Sequence, residues 1–500
     1  MAVGNLSFEV LLEIFDFYRQ TFHQEKKYER VWNSKNGWFT LAHVCQEWRR
    51  VVLTSPARLH VRLLFTEHRT RRAIAPERLP LLPIIVDYSN GVWSTKAQHR
   101  LVSALAFPDR VCAIAFRGNN TSLKKLFKAM NGPFSSLESL ELDFRDKGSQ
   151  IRPSSITLFH PPPFLEENPL PLRRLKYVGE AYPLLSQILS CTKSLVEIDL
   201  CVETLVVPGP PWSSALAHLR TMPFLRSLKL QMSIPPTSFH GILTPKKRGD
   251  VVLLPRLTSL RIIGLSMLVN ALMAELSTPG LQEFHVSLHH SSSTLGIPRL
   301  SEFIRDVGIL YSAAQLKLSE TGLIISMLTP AHSIDDPPFN LIVDGLHSMA
   351  QIGAELSAMV STVEDVFLTG LDLDHIMSFE SILRLRASWL QFFARFRNVK
   401  IIRVHHSVGM EVACILRQGH GHGQPTMIPL DVLLSLEEIE VHTGPPGITP
   451  ISESEQVSFL DRFKPFVIAR QQMGRPVKVC WCADRMLPKY FCGGSSASML

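Results

Sequence analysis

A short phrase recurs along this chain, with apolar residues at i, i+3 and i+5 and polar residues between them. Its clearest copies are Leu137/Leu140/Leu142, Leu195/Ile198/Leu200, Leu225/Leu228/Leu230, Leu257/Leu260/Ile262, Leu281/Phe284/Val286 and Leu436/Ile439/Val441. Weaker copies centre on Ile84, Ile114, Leu175, Leu316, Ile342, Val366 and Ile402. In an extended segment the last two apolar positions share one face, so each copy specifies a short strand with a single buried side. The bare template is undemanding, because with 45% hydrophobic residues it recurs by chance at about 9% of positions. The better copies carry more information. They enclose polar pairs such as Glu138-Ser139, Arg226-Ser227 and Glu437-Glu438 and follow Pro or Ser turn signals, and successive chosen centres lie about 23 to 37 residues apart.

This is the pattern of the strand segment in leucine-rich repeats. Each unit contributes a strand and a returning helix or loop, and neither buries its apolar face alone, so neighbours must stack. The expected fold is α/β: a small N-terminal helical module, then an irregular leucine-rich-repeat-like solenoid with a curved parallel sheet. The module covers 1–60, a basic linker 61–80, the array 81–480 and a tail 481–500. Leu81 to Asp87 reads as the first buried strand, and Phe459 to Val479 as a closing helix and strand. The Pro-rich stretches at Pro161-Pro162-Pro163, Pro208 to Pro211, Thr244 to Asp250 and Gly444 to Ser454 read as surface loops. A conventional pair of α/β domains is the rival architecture.

The first fifty-odd residues have a different period. Leu6, Val10, Leu11, Ile14, Phe15 and Tyr18 recur at three- and four-residue steps, the spacing of one helical stripe. Asn5 or Ser7 can cap its start, and Glu9 suits the positive end of the helix dipole. A second run puts Leu41, Val44, Cys45, Trp48, Val51 and Val52 on one face behind Thr40 as a cap, and stops at Ser55-Pro56. Helices this short need a shared core to hold in water.

The segments Asn5-Leu-Ser-Phe-Glu-Val-Leu-Leu-Glu-Ile-Phe15, Leu41-Ala-His-Val-Cys-Gln-Glu-Trp-Arg-Arg-Val-Val52 and Ser55-Pro-Ala-Arg-Leu59 together resemble an F-box, the type that opens many fungal F-box proteins. Ser7 stands where that family usually has Pro, and the connection from Arg19 to Gly37 is longer and more charged than the family norm. The resemblance implies a helical module that docks on a Skp-type adaptor and so on a cullin–RING ubiquitin ligase, with the remainder of the chain selecting a protein substrate. It points to Leu6, Ser7, Glu9, Val10, Leu41, Val44, Cys45 and Trp48 as the adaptor contact or its support. A leucine-rich-repeat-like region after the F-box is common in the family. The alternative is a repeat-type interaction scaffold without a ubiquitin link, its N-terminal helices capping the array.

Composition narrows the remaining classes. Five hundred residues with 19% charged exceed one ordinary core and are too apolar for general disorder. The net charge of +8 is spread along the chain and accompanies no zinc-finger spacing or RNP pattern, so no nucleic-acid partner is expected. The apolar run Leu260 to Leu276 is interrupted by Arg261, Asn270 and Glu275 and falls short of a membrane span. Eight scattered cysteines form no disulfide framework, and no signal peptide opens the chain, so a cytoplasmic or nuclear location is expected. Cys480-Trp481-Cys482 with Cys492, and His420-Gly421-His422 with His405-His406, lack paired tetrahedral spacing, and no metal or other cofactor is expected. The run Gly419, Gly421, Gly423 is no phosphate cradle, because no Gly-Lys-Ser/Thr follows. With no nucleophile elbow, zinc helix or kinase signature, the chain reads as a non-catalytic protein.

Overall fold

Every apolar position of the six clearest phrases is buried, as are Ile84, Ile114, Leu175, Leu316, Val366 and Ile402 among the weaker ones. The computed structural model describes residues 6–24, 37–66 (57, 60 and 61 excepted), 82–88, 95–144, 164, 170–179, 182–202, 216–232, 251–289, 297–307, 313–318, 322–328, 339–344, 349–369, 388–417, 432–442 and 453–482. The chain divides into two units, Met1–Leu225 and Arg226–Leu500.

The first unit begins with three helices, α1 (Phe8–Gln24), α2 (Gly37–Val44) and α3 (Gln46–Thr54). Six strands follow: β1 (Leu63–Thr66), β2 (Ile84–Tyr88), β3 (Val111–Arg117), β4 (Ser139–Asp143), β5 (Arg174–Gly179) and β6 (Glu197–Val202). They pair in sequence order and all in parallel. Each crossover therefore moves the chain over by one strand, which is what a coil of repeats produces. Register puts Ile114, Leu140, Leu175 and Ile198 in one buried row. The returning segments include α4 (Thr95–Leu105), α5 (Asn120–Ala129) and α6 (Tyr182–Ser190). Asn119 starts α5 by accepting a hydrogen bond at 2.9 Å from the Ser122 amide.

The second unit continues the pattern with β7 (Ser227–Met232), β9 (Ser259–Leu265) and β11 (Glu283–His289), and ends with β15 (Asp365–Thr369), β16 (Ile401–His405), β17 (Glu438–His442) and β18 (Lys478–Cys482). A backbone signature repeats at the start of the strands. One carbonyl accepts two successive amides of the next repeat: Glu138 from Arg173 and Arg174, Arg173 from Val196 and Glu197, Arg226 from Thr258 and Ser259, Lys400 from Glu437 and Glu438. Local sequences differ at these points while the geometry recurs, so the units are repeats physically. Asn270, which interrupts the apolar run, has its own task. Its side-chain oxygen accepts from the Arg299 and Leu300 amides at 2.8 and 3.2 Å, capping the helix Pro298–Val307 from the neighbouring helix Ser266–Met273.

Three expectations need correction. The parallel sheet itself stands, with one antiparallel meander set into it: β12 (Ala313–Leu318), β13 (Gly322–Leu328) and β14 (Phe339–Asp344) run back to β11, and β12 then pairs in parallel with β15. Within it Leu341, not Ile342, faces the core opposite Ile325, since a one-residue slip exchanges the two faces of a strand. Strand β1 lies inside 61–80, which reads as a linker in sequence, and β18 extends the array to Cys482. The closing segment holds two helices, Glu453–Asp461 and Lys464–Gln472, before the last strand, so Ser454 is helical. The other Pro-rich loops and the tail from 483 lie outside the described residues. A pair of short strands, β8 (Val252–Leu253) and β10 (Leu276–Ser277), pairs separately.

Candidate functional site

The N-terminal helices are built from two kinds of apolar residue. Along α1, Leu11, Leu12 and Phe15 are buried. Leu6, Val10, Ile14 and Phe17 instead lie on a second line at steps of four, four and three, and are 41%, 44%, 39% and 72% exposed. Phe8 is exposed too. The apolar residues of α1 therefore serve two faces, whereas the sequence reads as one stripe. The helix begins where Ser7 Oγ accepts from the Val10 amide at 3.4 Å, and Glu9 sits in its first turn.

The second run is likewise two helices. Leu41 and Ala42 in α2 are buried, and so are Val51 and Val52 in α3. Between them Cys45 is extended (φ −155°, ψ 176°) and caps α3, its Sγ accepting from the Trp48 amide at 3.4 Å. Thr40 lies within α2 rather than ahead of it. An Arg49 Nε donation to the Ala42 carbonyl at 2.9 Å closes the α2–α3 corner. The Trp48 ring meets Phe15 edge-on at 4.9 Å and 63°, joining α3 to α1. Beyond α3, Arg58 pairs with Glu13 and, at 3.5 Å, with Asp16, so the chain leaving the module is tied back to α1.

A second candidate surface is the polar side of the sheets. In the first unit the charges alternate across strands: Arg117 Nε is 3.5 Å from Asp143, Lys176 Nζ 2.6 Å from Glu141, and Arg174 Nε 3.2 Å from Glu197. In the second unit Arg403 is held between Asp365 and Glu440, the latter at 2.8 Å, and Lys478 lies 3.0 Å from Glu438. The Lys478 hydrogen bond, with one from Cys480, holds the Glu438 carboxyl below its ordinary range. His442 is 3.4 Å from Glu440, yet burial dominates and keeps its pKa below that of a free imidazole. His405 is lowered by burial and by its neighbours His406 and His442.

The chain is a leucine-rich-repeat-like α/β array. No protein-family model matches it, and no curated protein matches it in sequence. Among solved structures it is similar to the leucine-rich repeat-containing protein LegL7 from Legionella pneumophila, with 12% identity and a TM-score of 0.27 over 76% of this chain and 97% of that one. It is also similar to a chain of the yeast Rad7–Elc1 complex, with 11% identity and a TM-score of 0.23 over 90% of this chain and 94% of that one. Superpositions this loose carry no argument about function, and the repeat architecture rests on the registers and burial above.

The eight residues singled out in the sequence separate by position. Leu6, Ser7, Glu9, Val10, Val44 and Cys45 are exposed, Leu41 belongs to the module's core, and Trp48 is half-buried between the two roles. Ile14 and Phe17 join the exposed line, and their signal was available: Phe17 follows Val10 by seven residues and Ile14 by three. Among the described residues no group of three or more His, Cys, Asp or Glu is arranged to hold a metal. Cys492, His420 and His422 lie outside the described residues.

Proposed function

We propose that this chain is a non-catalytic substrate receptor of an SCF-type cullin–RING ubiquitin ligase, acting in the cytoplasm or nucleus. Its N-terminal helices dock on a Skp-type adaptor, and its repeat array holds a protein target. The observation that carries this reading is the outward apolar line on α1. Val10, Ile14 and Phe17 on α1, with Leu6 just ahead of it, are exposed, whereas Leu11, Leu12 and Phe15 on its other face belong to the module's own core. A row of four large apolar side chains needs a partner to cover it, and the F-box resemblance supplies one. The array then contributes proximity, raising the target's effective concentration at the ligase.

The alternative, in which the helices cap the repeats, requires their apolar surplus to face the array. Instead α1, α2 and α3 pack mainly on one another. Adaptor capture by the full-length chain, compared with its Val10→Asp variant, tests the proposal. Since Val10 is outside the core, the variant should keep the wild-type melting temperature and lose capture by roughly tenfold or more. Capture by the variant at wild-type strength would rule out α1's outer face as the dock. A lowered melting temperature of the array would favour the cap.

A further inference from the structure

In the first unit α4 and α5 pack against each other and leave an open cleft of about 730 Å³, a size common for binding sites. From α4 it is lined by Gln98, Val102 and Leu105, and from α5 by Lys125, Lys128 and Ala129. Each set recurs at steps of three and four, so each is one stripe along its helix. Two stripes on one cleft form the kind of groove that receives a third helix. Where the helices end, Gly132 lets the chain after α5 approach the turn after α4, for a Cβ there would lie 3.0 Å from Pro108 Cγ. Leu105 is buried, whereas Val102 is 45% exposed in mid-helix. Lys125 and Lys128 are exposed and have no hydrogen-bond or ion-pair partner among the described residues. None of the described residues that line the cleft is acidic, and Asp109, next to Pro108 in sequence, is not part of the lining.

We propose that this cleft docks a short acidic amphipathic helix of a partner protein, with an aliphatic side chain covering Val102 and carboxylates meeting Lys125 and Lys128. Charge complementarity selects the occupant. The two lysines stand three residues apart on α5, about one helical turn, so they match acidic residues at i and i+3 or i+4 of a facing helix. Their aliphatic stems can lie along the apolar side of that helix while the ammonium groups reach its carboxylates. Because the cleft is open rather than enclosed, it suits the side of a helix better than a small molecule, which a site normally surrounds. Docking at α4 and α5 is separate from the outer face of α1, so it does not depend on the receptor reading.

The test uses the purified full-length chain and a fluorescein-labelled amphipathic helical peptide of Leu, Ala and Glu, read by fluorescence anisotropy at low salt. Binding should weaken roughly tenfold in Lys125→Glu/Lys128→Glu and roughly threefold in Val102→Gln. It should stay unchanged in Lys193→Glu/Arg305→Glu, which makes the same charge change at exposed positions on other elements. The substituted side chains are exposed, so melting temperatures should stay at the wild-type value. Lys125→Gln/Lys128→Gln removes the charge without reversing it and should weaken binding less, which keeps the test open if the reversal perturbs α5. Equal loss in the control variant, or no loss in the cleft variants, overturns the proposal. Equal binding of the matching peptide with Lys in place of Glu overturns the charge assignment. Self-association in light scattering that Val102→Gln abolishes would give the cleft to a second copy of the chain instead. Adaptor capture measured on the same preparation separates the two readings: peptide binding without capture removes the receptor alone, and capture without peptide binding removes this cleft alone.

Discussion

Arg470 is fully buried, and no carboxylate pairs with it among the described residues. Its Nη2 donates to the Leu434 and Leu436 carbonyls at 3.1 and 3.2 Å, while Nε and Nη1 have no partner. The guanidinium lies 6.0 Å from the Phe466 ring. Burial, helped by Arg475, holds its pKa below the ordinary arginine value. The turn it braces includes Leu433 at φ 56°, a conformation that costs a branched residue free energy and persists only where its surroundings impose it. Arg470 is thus a brace on a strained turn. Arg470→Ala should destabilise the chain by about 3 kcal/mol through two lost hydrogen bonds and a cavity. Arg470→Met, which keeps most of the volume and removes the charge, should cost less. Urea unfolding of the two variants checks both the size and the order, and a wild-type midpoint for Arg470→Ala would refute the brace.

At the scale of elements, the capping residue of α3 is a weak one. Sulfur is a poor acceptor, so Cys45→Ser should stabilise α3 by about 0.5–1 kcal/mol and Cys45→Ala should weaken it slightly. Protection of the Trp48 and Arg49 amides against hydrogen exchange should move in those directions, and an unchanged Cys45→Ser would mean the cap contributes nothing. The same cysteine illustrates what the sequence conceals. An apolar run from Leu41 to Val52 is compatible with one helix, and only the extended backbone at Cys45 divides it. The strand phrases were legible because burial on one face fixes a period of two, and Leu140, Leu260 and Ile439 obey it. That period is identical in parallel and antiparallel strands, which is why the β12–β14 meander left no trace and the face of Ile342 was misplaced. On α1, apolar character alone could not separate Val10 from Leu11, because a core residue and an interface residue have the same chemistry.

Across the described residues, pH between 7 and 5 acts on stability through imidazoles the fold keeps neutral. His405, His406 and His442 all have pKa values below the ordinary imidazole value, with burial the main cause in each. The groups around His442 are Arg403 from β16, which opposes its protonation, Glu440 beside it on β17, which favours it, and His405, its register partner on β16. Asp365 on β15 is engaged by Arg403, and the Phe367 ring stands edge-on at 6.4 Å. His218 in the first unit is lowered by burial as well and is 3.0 Å from the Ser186 hydroxyl. Above about pH 7.5 these groups are neutral in both folded and unfolded chains and contribute no pH dependence. As pH falls below that value the unfolded chain takes up protons that the native state refuses. Stability then declines, by at most about 1.4 kcal/mol per pH unit for each group, until the folded pKa is reached. The urea midpoint should therefore fall between pH 7 and pH 5, and His442→Gln should flatten the slope without lowering the midpoint at pH 7 as much as Arg470→Ala does. A midpoint that holds steady to pH 5 would mean these imidazoles protonate as freely in the native chain as in the unfolded one. Glu440 would then be offsetting burial at His442, and lowering the pH would neither loosen nor strengthen that end of the array.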